Sequence, residues 1–121
     1  MSKERPSKIV TRERILSTIG LAYRASLLTS GYDSIELALH QGAVELLIVA
    51  EDGSLKQREK LMRIAKEEDA KTRTFGTSEE LGNAIGKDVR IAIAILDPGF
   101  ADKLMKLIDE YKIVTSDAPT K

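Results

Sequence analysis

The chain has 121 residues, enough for one domain with a sizeable core. Charged residues make up 31% and apolar residues 42%, and 19 Lys and Arg balance 19 Asp and Glu, so no molecule-wide field draws the protein to nucleic acid or an anionic membrane. With no cysteine and a single histidine, His40, disulfides, thiolate metal sites and thiol nucleophiles are excluded.

Residues 1–8 are polar, contain Pro6 and carry Lys3, Arg5 and Lys8. They are predicted to be a basic flexible tail with no secretory signal. A helix is expected from near Thr11, with Ile15, Leu16, Ile19, Ala22 and Tyr23 as its apolar stripe and Arg12, Arg14 and Arg24 largely outside it. Leu27 to Thr29 reads as a short strand. Ser30 is placed to cap the next helix, helped by Asp33, and Ile35, Ala38 and Leu39 form that helix's inner face. Gly42 is placed to stop it. Leu46 to Ala50 is short and uniformly apolar, which predicts a strand covered on both faces.

Ser54 or Asp52 is positioned to cap a helix over 55–68, with Leu61, Ile64 and Ala65 inward. Thr72 to Phe75 reads as a strand, and Thr77-Ser78-Glu79-Glu80 is a capping box. Leu81, Ala84 and Ile85 make the following helix amphipathic, and Gly86 ends it. Val89 to Leu96 alternates Ile91, Ile93 and Ile95 with Ala92 and Ala94, predicting a strand with a closely packed helix on its small face. A last helix is expected over 100–111, striped by Phe100, Leu104, Leu107, Ile108 and Tyr111. Five helices alternating with four strands predict one α/β domain over residues 9–112, a three-layer α/β/α sandwich with a four-stranded sheet, followed by a polar tail over 113–121. Strand order is left open by the pattern.

Little here supports catalysis. No glycine-rich loop follows a strand in a phosphate-binding pattern, and Gly82 to Gly86 is a helix end. His40 lacks a partner for metal binding or a triad and reads as a surface helix residue. Glu51 and Asp52 at a strand end fit a helix cap as well as a metal. The reading is therefore a cytoplasmic protein that is not an enzyme, with no metal, no cofactor and no membrane segment, and a monomer.

Charge is uneven along the chain. Residues 25–54 hold five acids, Asp33, Glu36, Glu45, Glu51 and Asp52, and no Lys or Arg. If Ile35, Ala38 and Leu39 face inward, Asp33, Ser34, Leu37 and Gln41 face solvent. The helix start at Gly31 to Asp33 offers free N–H groups and a positive dipole end suited to phosphate, although the same residues fit a plain capped surface helix.

Four stretches carry a family resemblance. Gly31 to Gly42 followed by Val44-Glu45-Leu46-Leu47-Ile48-Val49-Ala50-Glu51-Asp52 resembles the signature of the kink-turn-binding ribosomal-protein family, the L-seven-Ae and L-thirty-e group. Thr77 to Gly86 and Leu96-Asp97-Pro98-Gly99-Phe100-Ala101 resemble it too. The opening helix, Ile15 to Ala25, is similar to the bacterial YlxQ-like branch. The resemblance spans residues 9–108 and implies a mixed four-stranded sheet.

It further implies structured RNA as the partner, ribosomal RNA or a kink-turn. The family's RNA-reading helix starts with Gly, has Asn-Glu two and three residues on, Lys six on, and ends in Arg-Gly. Gly31 and Gly42 match that pattern, with Tyr32 between the glycine and the Asn position. Asp33, Ser34, Leu37 and Gln41 stand where Asn, Glu, Lys and Arg are expected. The second RNA-facing element corresponds to Gly86 to Ile91, where Lys87 and Arg90 keep the loop basic. The expectation is an RNA-binding protein with an eroded kink-turn site. The alternative is a protein-interaction module using Tyr32, Leu37 and Gln41.

Overall fold

The computed structural model describes residues 10–116. The predicted tail over 1–8 lies outside them, as do residues 117–121. The elements are α1 (Arg12–Arg24), β1 (Leu28–Ser30), α2 (Tyr32–His40), β2 (Leu46–Val49), α3 (Leu55–Glu67), β3 (Lys71–Thr74), α4 (Ser78–Ala84), β4 (Ala92–Ile95) and α5 (Pro98–Ser116). This is the α/β/α sandwich expected from the alternation of elements. The sheet order, which the pattern left open, is β1-β4-β2-β3.

The sheet is mixed. β4 lies antiparallel to both neighbours, with Leu28 and Leu46 each opposite Ile95, while β2 and β3 are parallel, with Leu46 opposite Lys71. All four residues of β2 and of β4 are buried, which explains their lack of polar alternation. One face carries Leu46, Ile48, Ile93 and Ile95 and packs with Ile15, Ile19, Leu104 and Ile108 of α1 and α5. The other carries Leu47, Val49, Ala92 and Ala94 and packs with Ile35, Leu39, Leu61 and Ile64 of α2 and α3. The small alanines let α2 approach β4 closely, as the alternation predicts.

Two boundaries differ from the sequence reading by three residues or more. The strand expected from Val89 begins only at Ala92, because the Arg90 N–H turns back to the Ser78 carbonyl (2.9 Å). Ile91 still accepts from the Ala50 N–H (2.8 Å), but the ladder cannot continue through a chain folded onto α4. At the other end, residues 113–116 are helix and not tail. α5 runs on past Tyr111 with Ile113 and Val114 62% and 53% exposed, so no inward stripe marks the extension. Among the described residues no helix is long and apolar enough to cross a membrane.

Candidate nucleic-acid interface

β1, β2 and β3 run the same way, so α2, α3 and α4 all begin at one end of the sheet, where β4 also starts. Three positive dipole ends and their unpaired N–H groups therefore gather there. Two of the helices are capped. Ser54 Oγ accepts from the Gln57 N–H (3.2 Å) on α3, so Ser54 and not Asp52 is that cap. Thr77 and Glu80 close the capping box on α4, where Asp52 also accepts from the Ser78 N–H (2.7 Å). That hydrogen bond holds the Asp52 carboxyl below its ordinary pKa.

α2 differs. Its cap position is Gly31, at φ 91° and ψ 136°, and it has no side-chain cap. That backbone region is open to glycine and costly for other residues, so no capping side chain is available at that position. The expected caps are thus corrected. Ser30 belongs to β1, and Asp33 sits in the first turn with its carboxylate exposed. The donors at the start of α2 remain free of side-chain acceptors among the described residues.

The other half of the site is the loop after α4. Gly86 donates to the Asn83 carbonyl (3.1 Å) and Lys87 to the Gly82 carbonyl (2.8 Å), so the chain doubles back along its own helix. The Asp88 carbonyl then passes directly over Gly82, where a Cβ would stand 1.7 Å from its oxygen. Arg90 reaches across: its Nε donates to Ser30 Oγ (3.2 Å) and its Nη1 to the Val89 carbonyl (2.9 Å). Between the two halves lies a cleft of about 230 Å³.

The structure places Gly31, Tyr32 and Arg90 in that cleft, with Ile35, Gln57 and Val89. Asp33, Ser34, Leu37 and Gln41 lie exposed on the outer face of α2, and Lys87 is exposed on the loop. Tyr32 is half-buried under Lys60, whose Nζ stands 5.7 Å from the ring centroid and 3.8 Å from Glu36. Tyr32 first, then Glu36, hold the Lys60 ammonium above its ordinary pKa.

Gln57 and Lys60 went unnoticed in the sequence, since only the docking of α3 beside α2 brings them to this end. His40 is a surface residue, its ring between Glu68 (3.3 Å) and Glu36 (4.0 Å). Among the described residues no group of His, Asp and Glu could hold a metal.

Residues 13–105 match the model of the family described as "Ribosomal protein L7Ae/L30e/S12e/Gadd45 family". The chain belongs to this family. The Bacillus subtilis (strain 168) family relative "RNA-binding protein YlxQ" is 31% identical over 91 residues, 75% of this chain and 91% of the relative, which supports placement in the YlxQ-like branch. The Tetrahymena thermophila "Large ribosomal subunit protein eL30" is 31% identical over 99 residues, 80% of this chain and 95% of its own. Among solved structures, a protein of unknown function from Bacillus halodurans C superposes with TM-score 0.75 at 35% identity, covering 79% of this chain and 97% of that one. The Giardia lamblia 15.5kD RNA binding protein has TM-score 0.69 at 15% identity, covering 92% and 99%, and shares the L7Ae-type fold.

Proposed function

We propose that this protein binds structured RNA where the start of α2 meets the Gly86 to Ile91 loop, as an accessory protein of the ribosome or of RNA metabolism. The observation that carries this reading is convergence. An uncapped helix start and the Val89 to Ile91 end of the loop that carries Lys87 line one cleft, although they belong to helices on opposite faces of the sheet. Free N–H groups and a dipole end suit phosphates and base edges, and Lys87 adds a countercharge. Family relatives named for RNA binding and for the ribosome support the same class of partner.

The finer reading is that the standard kink-turn site is eroded. Asp33 places a carboxylate where the family pattern has an amide, and Leu37, 59% exposed, places an aliphatic chain where it has a cation. Backbone donors remain while the side-chain countercharges of α2 are lost, which favours a structured RNA other than a standard kink-turn. The alternative reading as a protein-interaction surface is favoured by one observation, the exposed Leu37 in a stretch, residues 25–54, without Lys or Arg.

The test is a titration against kink-turn RNA, structured RNA without a kink-turn and single-stranded RNA, each at two salt concentrations. The expected result is salt-dependent binding to structured RNA with no preference for the kink-turn. Absence of binding to all three would replace this reading with the protein-interaction one.

A further inference from the structure

We propose that Arg90 is a positioning residue, a clasp that sets the Gly86 to Ile91 loop against the start of α2 through Ser30, and not a phosphate contact. This inference rests on the RNA-binding reading above.

The two halves of the interface are anchored to helices on opposite faces of the sheet and meet where β1 pairs with β4. The loop is fixed to α4 by backbone hydrogen bonds from Lys87 to Gly82 and from Arg90 to Ser78, and by the passage of Asp88 over Gly82. α4 packs on one face of the sheet, with Leu81 among the residues of α1 and α5. α2 packs on the other, with Ile35 and Leu39 among the residues of α3. The β1–β4 ladder joins the two faces as far as Ser30, opposite Ile93, and the loop residues before Ile91 lie beyond that ladder, where a side-chain link sets them against the helix start. Among the described residues, the Arg90 to Ser30 hydrogen bond is the one from the loop to the β1–α2 turn.

The chemistry of the guanidinium suits a clasp. It is planar, and its donors point in fixed directions. With Nε on Ser30 and Nη1 on the Val89 carbonyl, two of its three nitrogens are engaged within the protein and the orientation of the plane is set. Half-buried in the cleft wall, the group is placed to hold, whereas Lys87 on the same loop is exposed and placed to meet phosphate. A lysine at position 90 would keep the charge and lose the fork.

The experiment compares the whole protein with Arg90→Lys, Arg90→Ala, Ser30→Ala and the Arg90→Ala/Ser30→Ala pair, using the structured RNA found in the titration. Each single change should weaken binding by about threefold to tenfold, the range of one hydrogen bond, with the salt slope unchanged. The pair should be no weaker than Arg90→Ala alone. Wild-type binding by Arg90→Lys and Ser30→Ala, together with a slope flattened by about one in Arg90→Ala, would make Arg90 a phosphate contact and overturn the clasp.

Hydrogen exchange on the free protein gives a readout that needs no RNA. Amides over 87–91 should exchange faster in Arg90→Lys and Ser30→Ala while the melting temperature holds. Unchanged loop protection would overturn the clasp even if RNA binds, whereas lost protection in a protein that binds no RNA would overturn only the RNA reading.

Discussion

Glu80 and Arg12 form a bidentate ion pair across the face of the sheet that carries α1, α4 and α5. The Arg12 Nε and Nη2 each donate to a different carboxylate oxygen of Glu80, and one of those oxygens also accepts from the Thr77 N–H (2.9 Å) as half of the capping box. The Arg12 guanidinium also donates to the Tyr111 hydroxyl (3.1 Å) and lies 5.3 Å from the Phe75 ring centroid. One residue thus ties α1 to α4, to the end of β3 and to α5, and its charge is spent inside the fold. The hydrogen bond with Arg12 is the main cause holding the Glu80 carboxyl below its ordinary pKa.

The sign of the pH effect follows. A depressed carboxylate pKa contributes stability above the unfolded value, and that contribution is lost as pH falls through the lower, folded value. Denaturant melts from about pH 6 down to about pH 2 should show stability falling more steeply in the wild type than in Glu80→Gln. The glutamine keeps the capping box and gives up the titration. Equal slopes in the two proteins would remove Glu80 as a contributor to acid unfolding.

Ile48 and Ile93 face each other in register across β2 and β4, and neither is exposed. Ile48→Ala or Ile93→Ala should each destabilise by roughly 2–5 kcal/mol, the cost of a large-to-small change in a close-packed core. Because they touch, the pair should cost less or more than the sum by a measurable coupling. Losses under about 0.5 kcal/mol at both sites would contradict the central position of these strands.

Gly82 should resist substitution more than its place near a helix end suggests. An added Cβ would meet the carbonyl oxygen and carbon of Asp88 and the carbonyl oxygen of Lys87, all backbone, so the loop itself must move. Gly82→Ala should cost about 1–3 kcal/mol as overpacking, and should weaken RNA binding further by displacing Lys87 and Arg90. Near-wild-type melting and binding together would show that the loop is free to shift.

How far the sequence revealed this depended on whether the cause was local. The capping box of Thr77 and Glu80 and the buried runs of β2 and β4 are properties of short stretches, and they read correctly. The cap of α2 did not. Ser30 has the right chemistry one residue too early, and the positive φ of Gly31, visible only in the structure, takes the cap position itself. Arg12 reads as charge outside the apolar stripe and Arg90 as an RNA-facing loop cation, because their partners Glu80 and Ser30 lie 68 and 60 residues away. For the same reason the strand expected from Val89 lost three residues to a hydrogen bond with distant Ser78.

Lys87 is the loop cation proposed to meet phosphate, and no ion pair holds it among the described residues. Lys87→Ala should weaken binding to all structured RNAs alike and flatten the dependence of log affinity on log salt by about one. An unchanged slope would move the electrostatic footprint away from this loop.

The outer face of α2 gives a direct test of the proposal that the kink-turn site is eroded. The N–H groups at the start of the helix are not occupied by Ser30 or Asp33, so under the proposed reading any loss of kink-turn binding comes from the side chains. Asp33 presents a negative charge beside those donors, and exposed Leu37 and Gln41 bring no countercharge along the next two turns. In the variant Asp33→Asn, Ser34→Glu, Leu37→Lys and Gln41→Arg, three changes each add a positive unit and Ser34→Glu removes one, for a local shift of about two units at phosphate-facing positions. Kink-turn binding should strengthen by at least about tenfold, or ~1.4 kcal/mol, with the fold unchanged. Tight kink-turn binding by the unaltered protein would show that backbone and loop contacts suffice without those side chains. No gain in the fourfold variant would show that this chain keeps the family's fold without its RNA site, and would leave the exposed Leu37 face to a protein partner.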